Sequence, residues 1–175
     1  MLYFKEYHQQ VRLEMSTRKL IDAADGYSYL GMHEEAMSEL ALACAEDTDS
    51  PEFLAAAIRV VISQAVGEGN SSERWSMVEE SLRRLVEQYA DNVELTVQLV
   101  FVLCRRGKGD EADTLLHNNP NYRTGILHYN LACYEAKFGD VAMASKLLKV
   151  VGKLNPDMRK KSRTDPDLYL ANSSS

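Results

Sequence analysis

The chain has 175 residues, of which 45% are hydrophobic and 26% are charged, fractions typical of globular domains. Its 26 acidic and 20 basic residues give a formal net charge of −6, which disfavours a nucleic-acid-binding face, so we predict no nucleic-acid partner. No apolar run approaches the roughly 18 residues of a membrane span, and no export signal is visible. We therefore predict no membrane partner and a cytoplasmic location.

The chain begins with two segments that are predicted to be helical. Apolar residues recur at intervals of four at Tyr3, Tyr7 and Val11. They predict an N-terminal helix within residues 1–16, a candidate cap for the helices that follow. In residues 17–48, Gly31 precedes Ala36 by five positions, which indicates a turn between two helices.

The next segment, residues 50–91, is predicted to form a second, longer helix pair. Ser50 can cap a helix whose first turn contains Pro51. A loop over 67–72 then separates it from a helix over about 73–89. That second helix has one apolar stripe, formed by Trp75, Val78, Leu82, Leu85, Val86 and Tyr89.

Two further helix pairs are predicted over residues 92–120 and 122–156. Each has a glycine five positions before an alanine, at Gly107 and Ala112 and at Gly139 and Ala144. The remaining residues, 157–175, are polar and predict a frayed tail. Its basic cluster, Arg159 to Arg163, is expected to be solvated, the alternatives being contact with an acidic partner or nucleic acid, or a targeting signal.

The landmarks of these pairs resemble the tetratricopeptide repeat, whose unit is about 34 residues long. The last pair matches best, with Leu131 and Ala132 in its first helix and Asn155 and Pro156 at its exit, although His128 occupies the usual tryptophan position. The resemblance spans about residues 17–156. It implies an all-α fold, a right-handed α-α superhelix of about four helix-turn-helix units in one domain over 1–156.

The resemblance also implies roles for individual side chains. Positions that pack paired helices together are Ala24, Tyr27, Ala36, Leu40, Ala112, Leu131, Ala132, Ala144 and Leu148. Positions projected onto a concave, partner-binding groove are Ile21, Tyr29, Leu54, Ile58, Val61, Val97, Phe101, Ile126, Tyr129, Asn130 and Cys133. Members that grip terminal carboxylates use Lys, Arg and Asn on this face, and only Asn130 fits that pattern, so we expect an apolar or amphipathic ligand.

No set of side chains predicts a reaction. Cys44, Cys104 and Cys133 lie in apolar helical patterns and are interpreted as buried thiols in a reducing compartment. The four histidines are scattered singly, so we expect no metal and no cofactor. His128 and Cys133, five residues apart, would turn to different faces of a helix, which disfavours a nucleophile and base pair.

We therefore expect no enzyme but a protein-protein interaction scaffold, an adaptor or chaperone that binds a peptide or helix of a partner protein in an apolar concave groove. One alternative is that the same residues form a structural homo-oligomerisation module. Another is that they are core residues covered by the N-terminal segment. A narrower version of the main hypothesis is a small tetratricopeptide-type secretion chaperone, because those chains are also short and acidic.

Overall fold

The computed structural model describes residues 17–43, 47–69 and 72–173, and every regular element in these ranges is helical. The predicted helix within 1–16 and Cys44 lie outside the described residues. The α-helices are α1 Thr17–Tyr29, α2 His33–Leu40, α3 Pro51–Gly67, α4 Ser72–Gln88, α5 Val93–Arg105, α6 Gly109–Asn118, α7 Ile126–Phe138, α8 Val141–Leu154, α9 Pro156–Ser162 and α10 Tyr169–Ser173. Short 3-10 helices cover Tyr122–Thr124 and Pro166–Leu168. The all-α prediction is confirmed, and none of these helices is long and apolar enough to cross a membrane.

The chain divides into two compact units between Ser71 and Ser72, whereas the sequence predicted one repeat domain over 1–156. The first unit contains α1, α2 and α3, which pack against one another. The second contains α4 to α10, and in it α4 packs against α5. The predicted helix pair over 50–91 is therefore split, because its two helices belong to different units.

Alanines allow close helix contacts in the first unit. Ala24 on α1 and Ala36 on α2 are fully buried, and with Phe53 on α3 they belong to one apolar cluster. Its other buried members are Ile21, Leu40, Ala56 and Val60. Arg59 adds a polar link, since its guanidinium donates to both carboxylate oxygens of Asp25 at 2.7 and 2.8 Å.

Local signals set where the helices begin and turn. The Ser50 side chain accepts a hydrogen bond from the Phe53 N–H at 3.2 Å, and Pro51 is the first residue of α3, as predicted. Gly31 and Gly107 have φ values of 75° and 72°, the left-handed region that favours glycine. Gly139 has an ordinary negative φ, and a Cβ there would instead collide with the Arg105 and Glu135 side chains.

In the second unit, α5 packs against α4, α6 and α7. The C-terminal residues pack against α7 and α8. The predicted frayed tail over 157–175 is wrong for the described residues up to 173. Residues 156–162 and 169–173 are helical, and Leu168 and Ala171 are fully buried. The tail is polar on average, but these two side chains find an apolar surface on α7 and α8 that no local pattern reveals.

Ala132 tests the packing of α7 against α8, because it is fully buried in the cluster that also contains Ala144 and Leu148. Ala132→Leu should lower the free energy of unfolding by about 1–3 kcal/mol by overpacking this contact. The measurement is urea denaturation followed by circular dichroism. Ala142→Leu, at an exposed position of α8, is the control, and an equal loss in both variants would contradict the assignment.

Candidate functional site

The projected groove residues of the first unit differ in exposure. Ile21 is buried in the apolar cluster, so the structure corrects its assignment to an open surface. Tyr29, at the end of α1, has 76% of its surface exposed. The remaining three, Leu54, Ile58 and Val61, are partly exposed and lie on one side of α3 at spacings of four and three.

The assignments of Val97 and Phe101 to the groove are wrong, since both side chains are fully buried. Helix α5 is enclosed by three other helices, and every residue from 95 to 103 is buried. The Phe101 ring centroid lies 6.4 Å from that of Trp75 and 5.7 Å from that of Tyr134. The sequence carried a signal for this: α5 is apolar on all sides, which is typical of a core helix.

The projected groove residues of the last pair share one face of α7. Ile126, Tyr129, Asn130 and Cys133 are all partly exposed and follow one another at intervals of three, one and three residues. Tyr129 and Cys133 pack against the cluster formed by Ala132, Ala144, Leu148, Leu168 and Ala171. The chain's own C-terminal residues therefore cover part of the predicted groove.

We call residues 165–171 the C-terminal segment. Its apolar anchors are Leu168 and Ala171, which are fully buried. The segment packs against both α7 and α8. Its polar anchor is Asp165, whose carboxylate accepts a hydrogen bond from the Tyr129 hydroxyl. By contrast, Tyr169 and Leu170 are exposed to 71% and 62%. The face on α7 and α8 thus holds a short segment by buried apolar side chains and one charge-assisted hydrogen bond.

The Tyr129 and Cys133 side chains on this face are held in their neutral forms. Burial, together with the charges of Asp165 and Asp167, raises the pKa of Cys133 to about 12. Burial and the hydrogen bond to Asp165 also raise the pKa of Tyr129. A thiol with so high a pKa is a poor nucleophile at neutral pH. The arrangement suits recognition by shape and hydrogen bonding.

His128 lies apart from Cys133. Its side chain is buried, and its ring packs edge-on against Tyr122, with the ring centroids 5.0 Å apart. Burial lowers the pKa of His128, and the nearby His117 lowers it further. Both effects favour a neutral imidazole in the core.

A buried carboxylate on α4, Glu79, forms an ion-pair network that the sequence did not predict. Lys108 donates to it at 2.7 and 3.0 Å, Arg83 lies 2.7 Å away, and Arg106 also donates to it. Burial alone would raise the pKa of Glu79, but these hydrogen bonds outweigh it and lower the pKa to about 2. Since Arg106 and Lys108 come from the turn after α5, the network ties that turn to α4.

The low pKa of Glu79 makes the stability of this unit depend on pH. In the unfolded chain the carboxylate has an ordinary pKa near 4.5, so its contribution is complete above that pH and is lost as pH falls towards 2. Glu79→Gln should lower the free energy of unfolding by about 1–3 kcal/mol at neutral pH. The difference from the original chain should shrink between pH 4.5 and 2.

Urea unfolding at a series of pH values measures this difference. Glu80→Gln is the matched control, because the ion pair of Glu80 with Arg84 is a surface contact in which both side chains are at least 70% exposed. We expect its effect to stay within about 0.5 kcal/mol. A pH-independent loss in Glu79→Gln would show that the carboxylate is not held as described.

Comparison with known proteins provides no relative from which a role could be transferred. No protein-family model, no curated protein and no solved structure matches this chain. The resemblance to tetratricopeptide repeats therefore depends on the landmark residues of the helix pairs alone.

Proposed function

We propose that this protein is a cytoplasmic, non-catalytic scaffold of the adaptor or chaperone kind, which binds a peptide or helix of a partner protein. In this proposal the helix pairs within each unit are tetratricopeptide-like repeats with right-handed stacking. The face of α7 and α8 is the binding surface. Tyr129 and Cys133 line it, and Ile126 and Asn130 extend it along α7.

The observation that supports this proposal is the C-terminal segment itself. A short stretch of chain lies on α7 and α8 with two fully buried apolar side chains and one hydrogen-bonded carboxylate. Burying a leucine-sized side chain contributes about 1.5–3 kcal/mol, so few such anchors are needed to hold a peptide. A partner segment with the same features could occupy the same face.

The features of the C-terminal segment define the ligand that we expect. It carries an acidic residue that accepts a hydrogen bond from the Tyr129 hydroxyl. A leucine-sized residue comes three positions later, as Leu168 follows Asp165, and a small residue three positions after that, as Ala171 follows Leu168. Such a ligand would compete with the C-terminal segment, because both need the same face of α7 and α8. Binding by a partner therefore requires that the segment be displaced.

The test is to weaken the C-terminal segment in the full-length chain and to supply it as a peptide. Leu168→Glu places a charge where the side chain is fully buried, so the segment should leave α7 and α8. A labelled peptide of residues 164–173 should then bind this variant, measured by fluorescence anisotropy. Adding Tyr129→Phe should weaken that binding by about tenfold or more, since one hydrogen bond to a charged group is lost.

Tyr169→Glu is the matched control, because it places the same charge one residue away on a side chain that is 71% exposed. In this variant the segment should remain in place and the peptide should not bind. Circular dichroism must show that both variants are folded. If the peptide fails to bind folded Leu168→Glu, the face on α7 and α8 is not a peptide-binding surface.

A further inference from the structure

The second unit carries a concentration of positive charge on α8, on the short helix α9 and on Arg163, which follows α9. Residues 141–163 contain seven basic residues and one acidic residue, a net charge of +6 in a chain whose total is −6. The remaining residues therefore carry a net charge of −12. Six of the basic side chains are exposed, namely Lys146, Lys149, Lys153, Lys160, Lys161 and Arg163. We call these six residues the basic stripe.

On α8 the stripe follows the helix axis. Lys146, Lys149 and Lys153 are spaced by three and four residues, which places them on one face over roughly 10 Å. The opposite face of α8 buries Ala144, Leu148 and Val151. Helix α9 packs against α8, and a Cβ added to Gly152 on α8 would lie 3.4 Å from Cγ of Arg159 on α9. Lys160 and Lys161 extend the positive charge from α8 onto α9.

Among the described residues these cations have no acidic partner, unlike five other basic residues of the same unit. Arg83, Arg84, Arg105, Arg106 and Lys108 each form an ion pair with a glutamate. Within the part of the chain that the structure describes, none of the six stripe residues does so. Like charges at three- and four-residue spacing also repel one another, a repulsion that a bound anion would relieve. The chain has acidic residues in excess, yet none of those that the structure describes forms an ion pair with this surface.

We propose that the basic stripe is a docking surface for a short acidic segment of a partner protein. Charge complementarity favours an anion, and the size of the stripe favours a short one. A longer polyanion, such as duplex nucleic acid or an anionic membrane, would extend beyond the stripe and meet the rest of the second unit, where residues 72–140 and 164–175 carry a net charge of −5. A short acidic segment, either a helix of a few turns or a strand of a few residues, is long enough to cover the lysines of the stripe.

On α8 the stripe is separate from the face that holds the C-terminal segment, because that segment packs on the opposite, buried side of the helix. The two surfaces could be used at once by different parts of one partner or by two partners. Docking on the stripe needs no displacement of residues 165–171. Its electrostatic character predicts faster association at low ionic strength and weaker binding as salt is added.

Fluorescence anisotropy with a labelled peptide of alternating glutamate and serine tests the proposal on the full-length chain. The peptide should bind at low ionic strength and be released by salt. Lys146→Glu together with Lys149→Glu should weaken binding by about tenfold or more. Lys19→Glu together with Arg123→Glu changes the net charge equally at exposed positions outside the stripe, so it should weaken binding by about twofold at most.

If circular dichroism shows that the variant with Lys146→Glu and Lys149→Glu is unfolded, the variant with Lys146→Gln and Lys149→Gln is measured in its place. Failure of the original chain to bind the peptide, or an equal loss in the stripe and control variants, would overturn the proposal. So would preferential binding of duplex DNA or of phosphatidylserine-containing vesicles through the same lysines. Leu168→Glu should leave binding of the acidic peptide unchanged. The test of the basic stripe can therefore succeed or fail independently of the test of the face on α7 and α8.

Discussion

Close contact between paired helices is the constraint on which both units depend. Ala24 and Ala36 in the first unit, and Ala132 and Ala144 in the second, have no exposed surface, so the helix backbones there approach without an intervening side chain. Larger residues such as Leu40 and Leu148 then fill the space beside these contacts. The α7 and α8 pair presents a shallow apolar surface because its own small residues leave room for Leu168 and Ala171.

Buried carboxylates perform the second structural task, which is to fix turns against helices. Glu79 accepts from the turn between α5 and α6, and Glu135 accepts from Arg105 at 2.8 Å and from the Asp140 N–H at 3.1 Å. Each carboxylate is nearly inaccessible and is satisfied by cations that remain partly exposed. Such pairs hold geometry more than they add net stability, because burying a charge offsets much of the Coulomb gain. Among the described residues the basic stripe has no such acidic partner, and this contrast supports its proposed role as a docking surface.

Much of the helical architecture was predictable from the sequence, while the proposed groove was less so. Ser50, Pro51, Gly31 and Gly107 act within a few residues of themselves, so their roles follow from local chemistry. Val97 and Phe101 were misplaced because a repeat pattern assigns faces by position, whereas α5 is buried on every side. Leu168 and Ala171 gave no periodic signal, because two apolar residues in a polar stretch look the same whether they are solvated or docked.

The sequence by itself determined that the chain is helical, where α3 begins, where the turns at Gly31 and Gly107 lie, and that positive charge gathers between residues 141 and 163. These features depend on neighbours within one or two helical turns. Only the tertiary structure decided which apolar residues face solvent, what covers Tyr129, and that Glu79 pairs with side chains 27 and 29 residues away. The reason is physical: burial and ion pairing are set by residues distant along the chain, and no local pattern encodes which of them will meet.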